Sequence, residues 1–277
     1  MSARLFASGS LLLLLTACAT PSATSGGPAP TASPVSQPAP PATQDRSLGL
    51  EQYVELGVPS PERNWSAQDY ALAMKALSEI AQKDPAQLPR YQSERSGPLF
   101  ARLTAYDNVD SLESLQLAPL AQVQTAGAML GPASQILMLY LQAHSTSNSF
   151  ATEMIELQAF TLHAAVEVLE SMTSVPPSEV RNREAFESGL AQMQSGFGKM
   201  VSGFLTTLSE REVYSDEDRT RFLGKLMQDL PRLLPLLQPL TRKEVPVRIE
   251  ELLANERSPQ VRRELEALRS AVAAHAD

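Results

Sequence analysis

Carboxylates and one histidine recur at helical spacing between residues 153 and 170. Glu153, Glu156, Phe160, His163, Glu167 and Glu170 fall on one side of a helix, opposite an apolar stripe of Ile155, Leu162, Val166 and Leu169. An imidazole among carboxylates can hold a metal ion or move a proton near neutral pH. The chain has neither the Glu-x-x-His spacing of di-iron bundles nor a His-Glu-x-x-His pair. The expectation is therefore a solvated helix face on which His163 pairs with Glu167 one turn away, with no metal. Gly196-Phe197-Gly198-Lys199 has the ending of a phosphate loop, but Met193 stands where that loop needs glycine and Met200 where it needs a hydroxyl. Asp107 and Asp110 fall in a predicted loop. With no Gly-x-Ser-x-Gly elbow and no Ser-x-x-Lys pair, no catalytic residue is assigned and the chain is read as a non-enzyme.

The one cysteine, Cys18, rules out an internal disulfide and a cysteine-based zinc site, and the other histidines, His144 and His275, lie far from His163 in sequence. Cys18 follows a charged start with Arg4, an apolar run through Leu11–Leu15, and Thr16 and Ala17. Leu15-Thr16-Ala17-Cys18 resembles the lipobox of bacterial lipoproteins. The resemblance implies cleavage between Ala17 and Cys18, acylation of Cys18, and no cofactor beyond that covalent lipid. At about 0.8 kcal/mol per buried CH2, several acyl chains anchor a protein stably. Ala19, in place of aspartate, implies an outer-membrane lipoprotein facing the periplasm or the cell surface. Membrane contact is thus expected through the lipid, with another envelope protein as a further candidate partner. A net charge of −8 and a sequence pI near 5.1 disfavour nucleic acid.

Three segments follow from composition: a signal peptide at 1–17, a disordered Pro/Ala/Ser-rich tether at 18–49, and an all-α domain at 50–277. The tether carries Pro21, Pro28, Pro30, Pro34, Pro38, Pro40 and Pro41 with no charge before Asp45, and buries too little to fold. Beyond it the sequence predicts a helical bundle or compact helical stack of about eight or nine helices. Ser66 and Asp69 form a capping box, flanked by a staple of Trp65 and Tyr70, for a helix to Lys83. Further helices are expected at 98–106, 111–117, 119–130, 132–143 and 149–172, with a break at Gly131-Pro132. The longest is expected at 178–209, followed by 216–229, 246–254 and 258–274. Pro231, Pro235 and Pro239 predict broken turns with buried leucines across 230–240.

Within the longest predicted helix, Phe186, Leu190, Met193, Phe197, Met200, Phe204 and Leu208 make an apolar stripe, and Gly189, Gly196 and Gly203 repeat every seven residues. Three readings fit: a tightly packed core helix, a self-association seam, or one wall of an apolar ligand pocket. Residues 258–268 resemble the second helix of a HEAT repeat, without a regular period elsewhere. The function expected is a non-catalytic binding or scaffolding module in the envelope. The alternatives are a carrier of an apolar ligand such as a lipid, and a hydrolase with an unrecognised site.

Overall fold

The fold is built from helices whose ends are written in the sequence. Ser66 Oγ accepts the Asp69 backbone N–H at 3.3 Å, and Asp69 Oδ2 accepts the Ser66 N–H at 2.8 Å, closing the capping box ahead of a helix that runs to Lys83. The two staple rings, Trp65 and Tyr70, meet edge to face at 5.5 Å. The computed structural model describes residues 45–147 and 149–274, and the expected signal peptide, Cys18 and most of the expected tether lie outside the described residues.

Ten α-helices follow one another: α1 (Leu50–Glu55), α2 (Ala67–Lys83), α3 (Gly97–Leu103), α4 (Asp107–Ser114), α5 (Pro119–Ser147), α6 (Ala151–Thr173), α7 (Arg183–Thr207), α8 (Asp216–Leu233), α9 (Pro239–Asn255) and α10 (Pro259–Ala273), with no strand among the described residues. Residues 45–49, assigned to the tether from composition, join the folded body. Arg46 pairs with Asp84 at 2.6 Å, and the buried Ser47 hydroxyl accepts from Ser96 Oγ at 2.9 Å.

The centre of the fold is α6. It pairs extensively with α5 and is packed also by α7 and α8, so that 16 of its 23 residues are buried. A helix apolar on one stripe keeps a broad wet side; this one keeps only a narrow half-exposed edge at Glu156, Glu167 and Glu170. The expected solvated face of Glu153, Phe160 and His163 is therefore corrected: all three are buried. On the far side, α2 covers α5, while α10 covers α8 and α9.

Two proline expectations change as well. The predicted break at Gly131-Pro132 does not occur, and α5 continues through Pro132 for 29 residues, making it the longest helix. Proline removes one backbone donor, but Met129, Leu130, Ala133 and Ile136 on either side are buried, and the burial outweighs one lost bond. Likewise α8 passes through Pro231 and ends at Leu233, and Pro239 opens α9. Only Leu234–Leu236 form a tighter turn, with Leu230, Leu233, Leu234 and Leu237 buried as expected, whereas Leu236 is half-buried and Leu240, contrary to expectation, is 69% exposed. The predicted start of α7 at Ser178 moves to Arg183, because Asn182 caps it through the Ala185 N–H at 3.1 Å.

Two glycines of the repeat, Gly189 and Gly203, are not points of close approach, since a Cβ on Gly189 would meet only Met172 Cε, at 4.0 Å. A Cβ on Gly203 would meet nothing within 4 Å, whereas one on Gly198 would lie 2.8 Å from Thr241 Oγ1 and 3.0 Å from its Cγ2, on α9. Gly203→Ala should therefore raise stability by about 0.5–1 kcal/mol through helix propensity. Gly198→Ala should lose that gain and lower the thermal midpoint, and Thr241→Ala in the same chain should restore it. Further along, Arg219 is 1% exposed and reaches Glu256 at 2.6 Å and the Leu208 carbonyl at 3.2 Å. Arg219→Met leaves the buried Glu256 carboxylate with its two backbone donors and only the more distant Arg211, at 3.9 Å, as a cation, and should cost about 3 kcal/mol in chemical denaturation, most of it recovered by Arg219→Met with Glu256→Gln.

Candidate functional site

Four of the polar side chains near the centre converge on one imidazole. His163, midway along α6 and buried, places Nδ1 2.9 Å from Asp229 Oδ1 on α8 and Nε2 2.7 Å from Asp110 Oδ1 on α4. The two carboxylates differ in environment: the Asp229 side chain is 2% exposed and that of Asp110 54%. Tyr106 lies flat on the imidazole, with ring centroids 4.0 Å apart and planes within 7°. Lys225 Nζ stands 4.8 Å from the centre of the Tyr106 ring.

Each element is held in place by residues outside the cluster. Asn108, buried near the start of α4, accepts the Trp65 N–H at 2.8 Å and donates to Tyr70 Oη at 2.8 Å and the Arg102 carbonyl at 2.7 Å. That triple attachment ties α4 to the capped start of α2, and Asp110 follows two residues later. Asp107 and Asp110 thus belong to a helix rather than the expected loop. On α8, Arg232 bridges two α6 carboxylates, Glu167 at 2.7 Å and Glu170 at 2.6 Å. The expected His163–Glu167 pair is replaced by these contacts.

Hydrogen-bond chemistry fixes the charge of the ring. Both nitrogens face carboxylates at hydrogen-bonding distance, and both can donate only when the imidazole is protonated. Burial works against the charged ring, but the hydrogen bonds and negative charges of Asp229 and Asp110 outweigh it and hold His163 above the usual histidine value. Burial, reinforced by the Asp229 charge, pushes the Tyr106 phenol up, so it stays protonated. The Tyr106 hydroxyl and Asp229 Oδ2 are both buried without a hydrogen-bond partner.

Beside this cluster opens a cavity of about 390 Å3. Val109, Leu112 and Ala126 give it apolar walls, and Gln122, Glu167 and Glu170 give it polar ones, with Ser171 and Ser174 completing the lining. Asp110, His163 and Glu167 each present a ligand atom, all within 4.8 Å of one another, so these three could hold a metal ion.

Other sequence-derived candidates fall elsewhere. Ala17 and Cys18 lie outside the described residues, as does His275. Phe197, Met200 and Phe204 are buried in the core, with the Phe204 and Phe222 rings 5.9 Å apart, while Phe186, Leu190 and Met193 at the start of α7 are only partly covered. The stripe therefore packs as core along its second half and does not meet the His163 cavity. Asp229 was missed because it stands on α8, 66 residues from its partner. The available signal was α6 itself, where Met154, Leu157, Ala164 and Val168 extend the apolar face well beyond one stripe and Phe160 interrupts the polar one.

No protein-family model, curated protein or solved structure matches the chain.

The charged imidazole sets a pH dependence. A histidine whose folded pKa is raised stabilises the protein fully below its unfolded value, and that stabilisation is lost as pH rises through the folded value. In chelator-containing buffer, His163 should titrate above about 6.5 by NMR. The stability gap between the wild-type chain and Asp110→Asn should be widest below that pH and narrow as pH rises; a gap constant across that range would contradict a charged ring.

Proposed function

We propose that the chain is a bacterial lipoprotein, acylated on Cys18, whose all-α body is a non-catalytic binding module of the cell envelope. The observation that carries the binding role is the cavity between α4, α5 and α6, whose volume of about 390 Å3 falls within the range of ligand pockets and whose lining is mainly polar, with Gln122, Glu167, Glu170, Ser171 and Ser174 facing Val109, Leu112 and Ala126. The anchoring role rests on Leu15-Thr16-Ala17-Cys18 and the apolar run before it. Removing residues 1–17 takes away Arg4 and changes the net charge from −8 to −9, so an anionic membrane surface repels the body while the lipid holds it. No helix among the described residues is long and apolar enough to cross a membrane.

The packed positions of Phe197, Met200 and Phe204 favour this reading over a lipid carrier built on that stripe. The convergence of Asp110, Asp229 and Glu167 around His163 is the observation that favours the second reading, a hydrolase. Each ring nitrogen faces a carboxylate rather than a hydroxyl nucleophile, and a ring protonated on both nitrogens is no general base. Binding therefore stands ahead of catalysis.

Mass spectrometry of the intact protein from its native membranes tests the anchor. The expected species begins at Cys18 and carries acyl chains, and Cys18→Ala should release the protein from the membrane fraction. An unacylated chain retaining residues 1–17 would rule the lipoprotein reading out. For the cavity, Ser171→Trp should block a co-purifying partner or ligand while leaving helix content unchanged.

A further inference from the structure

We propose that Asp110, His163 and Glu167 bind one divalent transition-metal ion of the zinc class, beside the cavity that Glu167 lines. This deepens the binding reading and rests on its cavity, but it is independent of the lipid anchor.

The donor set selects the kind of ion. One imidazole nitrogen with two carboxylates suits Zn2+ or Co2+, whereas Ca2+ and Mg2+ prefer oxygen alone and Cu+ prefers sulfur. A second observation, outside the three ligands, points the same way. His163 Nδ1 lies 2.9 Å from Oδ1 of Asp229, whose side chain is 2% exposed. A buried carboxylate holding the far N–H is how metal-ligating histidines are oriented, because it fixes the proton on Nδ1 and leaves the Nε2 lone pair facing the ion. Tyr106, stacked at 4.0 Å, fixes the plane of the ring.

The geometry needs small adjustments, all on side chains able to make them. Tetrahedral bonds of about 2.0–2.1 Å place donor atoms about 3.3 Å apart. His163 Nε2 and Asp110 Oδ1 are 2.7 Å apart, so the half-exposed Asp110 backs away by roughly half an ångström and the ion takes the place of the shared proton, which leaves to solvent. Glu167 turns inward from Arg232, which keeps Glu170 through contacts at 2.6 and 3.2 Å. With a neutral ring, the carboxylates of Asp110, Glu167, Glu170 and Asp229 outnumber the cations beside them, because one guanidinium, Arg232, serves three of the four and Lys225, over the Tyr106 ring, also acts on Glu156, and a divalent ion relieves that excess of negative charge. Three protein ligands leave the fourth position to water or to a molecule in the cavity.

The full chain carrying Cys18→Ser, which removes the one thiol, is stripped with chelator and titrated with Co2+ and then Zn2+ at pH 7.5, by calorimetry and visible absorption. The expected result is one Co2+ per chain with visible bands of a low-coordinate nitrogen and oxygen site, displaced by Zn2+, and release of a proton. Asp110→Asn and Glu167→Gln should each weaken binding about ten- to a hundredfold, and so should Asp229→Asn, which touches only the far nitrogen. Glu187→Gln, on an exposed ion pair of α7, should leave binding unchanged. Circular dichroism checks that each variant is folded, and if Asp229→Asn unfolds, Asp110→Asn and Glu167→Gln decide. No one-to-one binding below about 100 µM, or equal binding by wild type, Asp110→Asn and Glu167→Gln, overturns the proposal. Failure here leaves acylation of Cys18 and blockage of the cavity by Ser171→Trp unaffected, so the two readings fall separately.

Discussion

The deep burial of α6 governs how the rest of the molecule is arranged. Where a helix is this nearly enclosed, most of its charged side chains must find partners on a neighbour, because an unsatisfied buried group costs several times what a made hydrogen bond contributes. Glu153 takes the Tyr91 N–H at 2.9 Å and faces Arg90; His163 takes two aspartates; Glu167 and Glu170 share Arg232. These attachments reach the segment before α3, then α4 and α8, which are otherwise far apart in sequence. Polar satisfaction of one helix therefore sets the register of its neighbours, beyond what apolar packing alone specifies.

The same enclosure explains the contrast between the His163 cluster and the α7 stripe. Both have residue types and spacing that suggest a site. Along α7 the second half is filled by its own core neighbours, and the phenylalanines have nothing left to bind. Around His163 the packing is polar, with the Tyr106 hydroxyl and the Asp229 carboxylate buried close together without a well-formed hydrogen bond at Oδ2, and an open cavity alongside. Charge and unspent hydrogen-bonding capacity, rather than apolar surface, mark the place where this fold can recognise something.

Local features were legible in the sequence wherever local chemistry decides them. The Ser66–Asp69 box, the Trp65–Tyr70 staple, the end of α2 at Lys83 and the buried leucines of 230–237 all depend on residues within a few positions of one another. Legibility failed where tertiary burial overrides local preference. Pro132 and Pro231 read as breaks because an isolated helix would not tolerate them, whereas flanking residues buried against other helices do. His163 read as solvated because four carboxylates share its side, and only the apolar residues interspersed among them betray deep burial. Its two aspartates come from helices before and after α6, a juxtaposition that no spacing within one helix encodes.

Arg219 shows what one enclosed cation does to cooperativity. Its guanidinium touches the last turn of α7 at the Leu208 carbonyl, the start of its own helix at Asp216, and Glu256 between α9 and α10; Glu256 in turn accepts the N–H groups of Arg257 and Ser258 that begin the descent into α10. Four helix ends thus share a single knot. Fraying of any one of them would strand a charge in the interior, so the terminal third of the chain is built to melt as a block rather than peel away helix by helix.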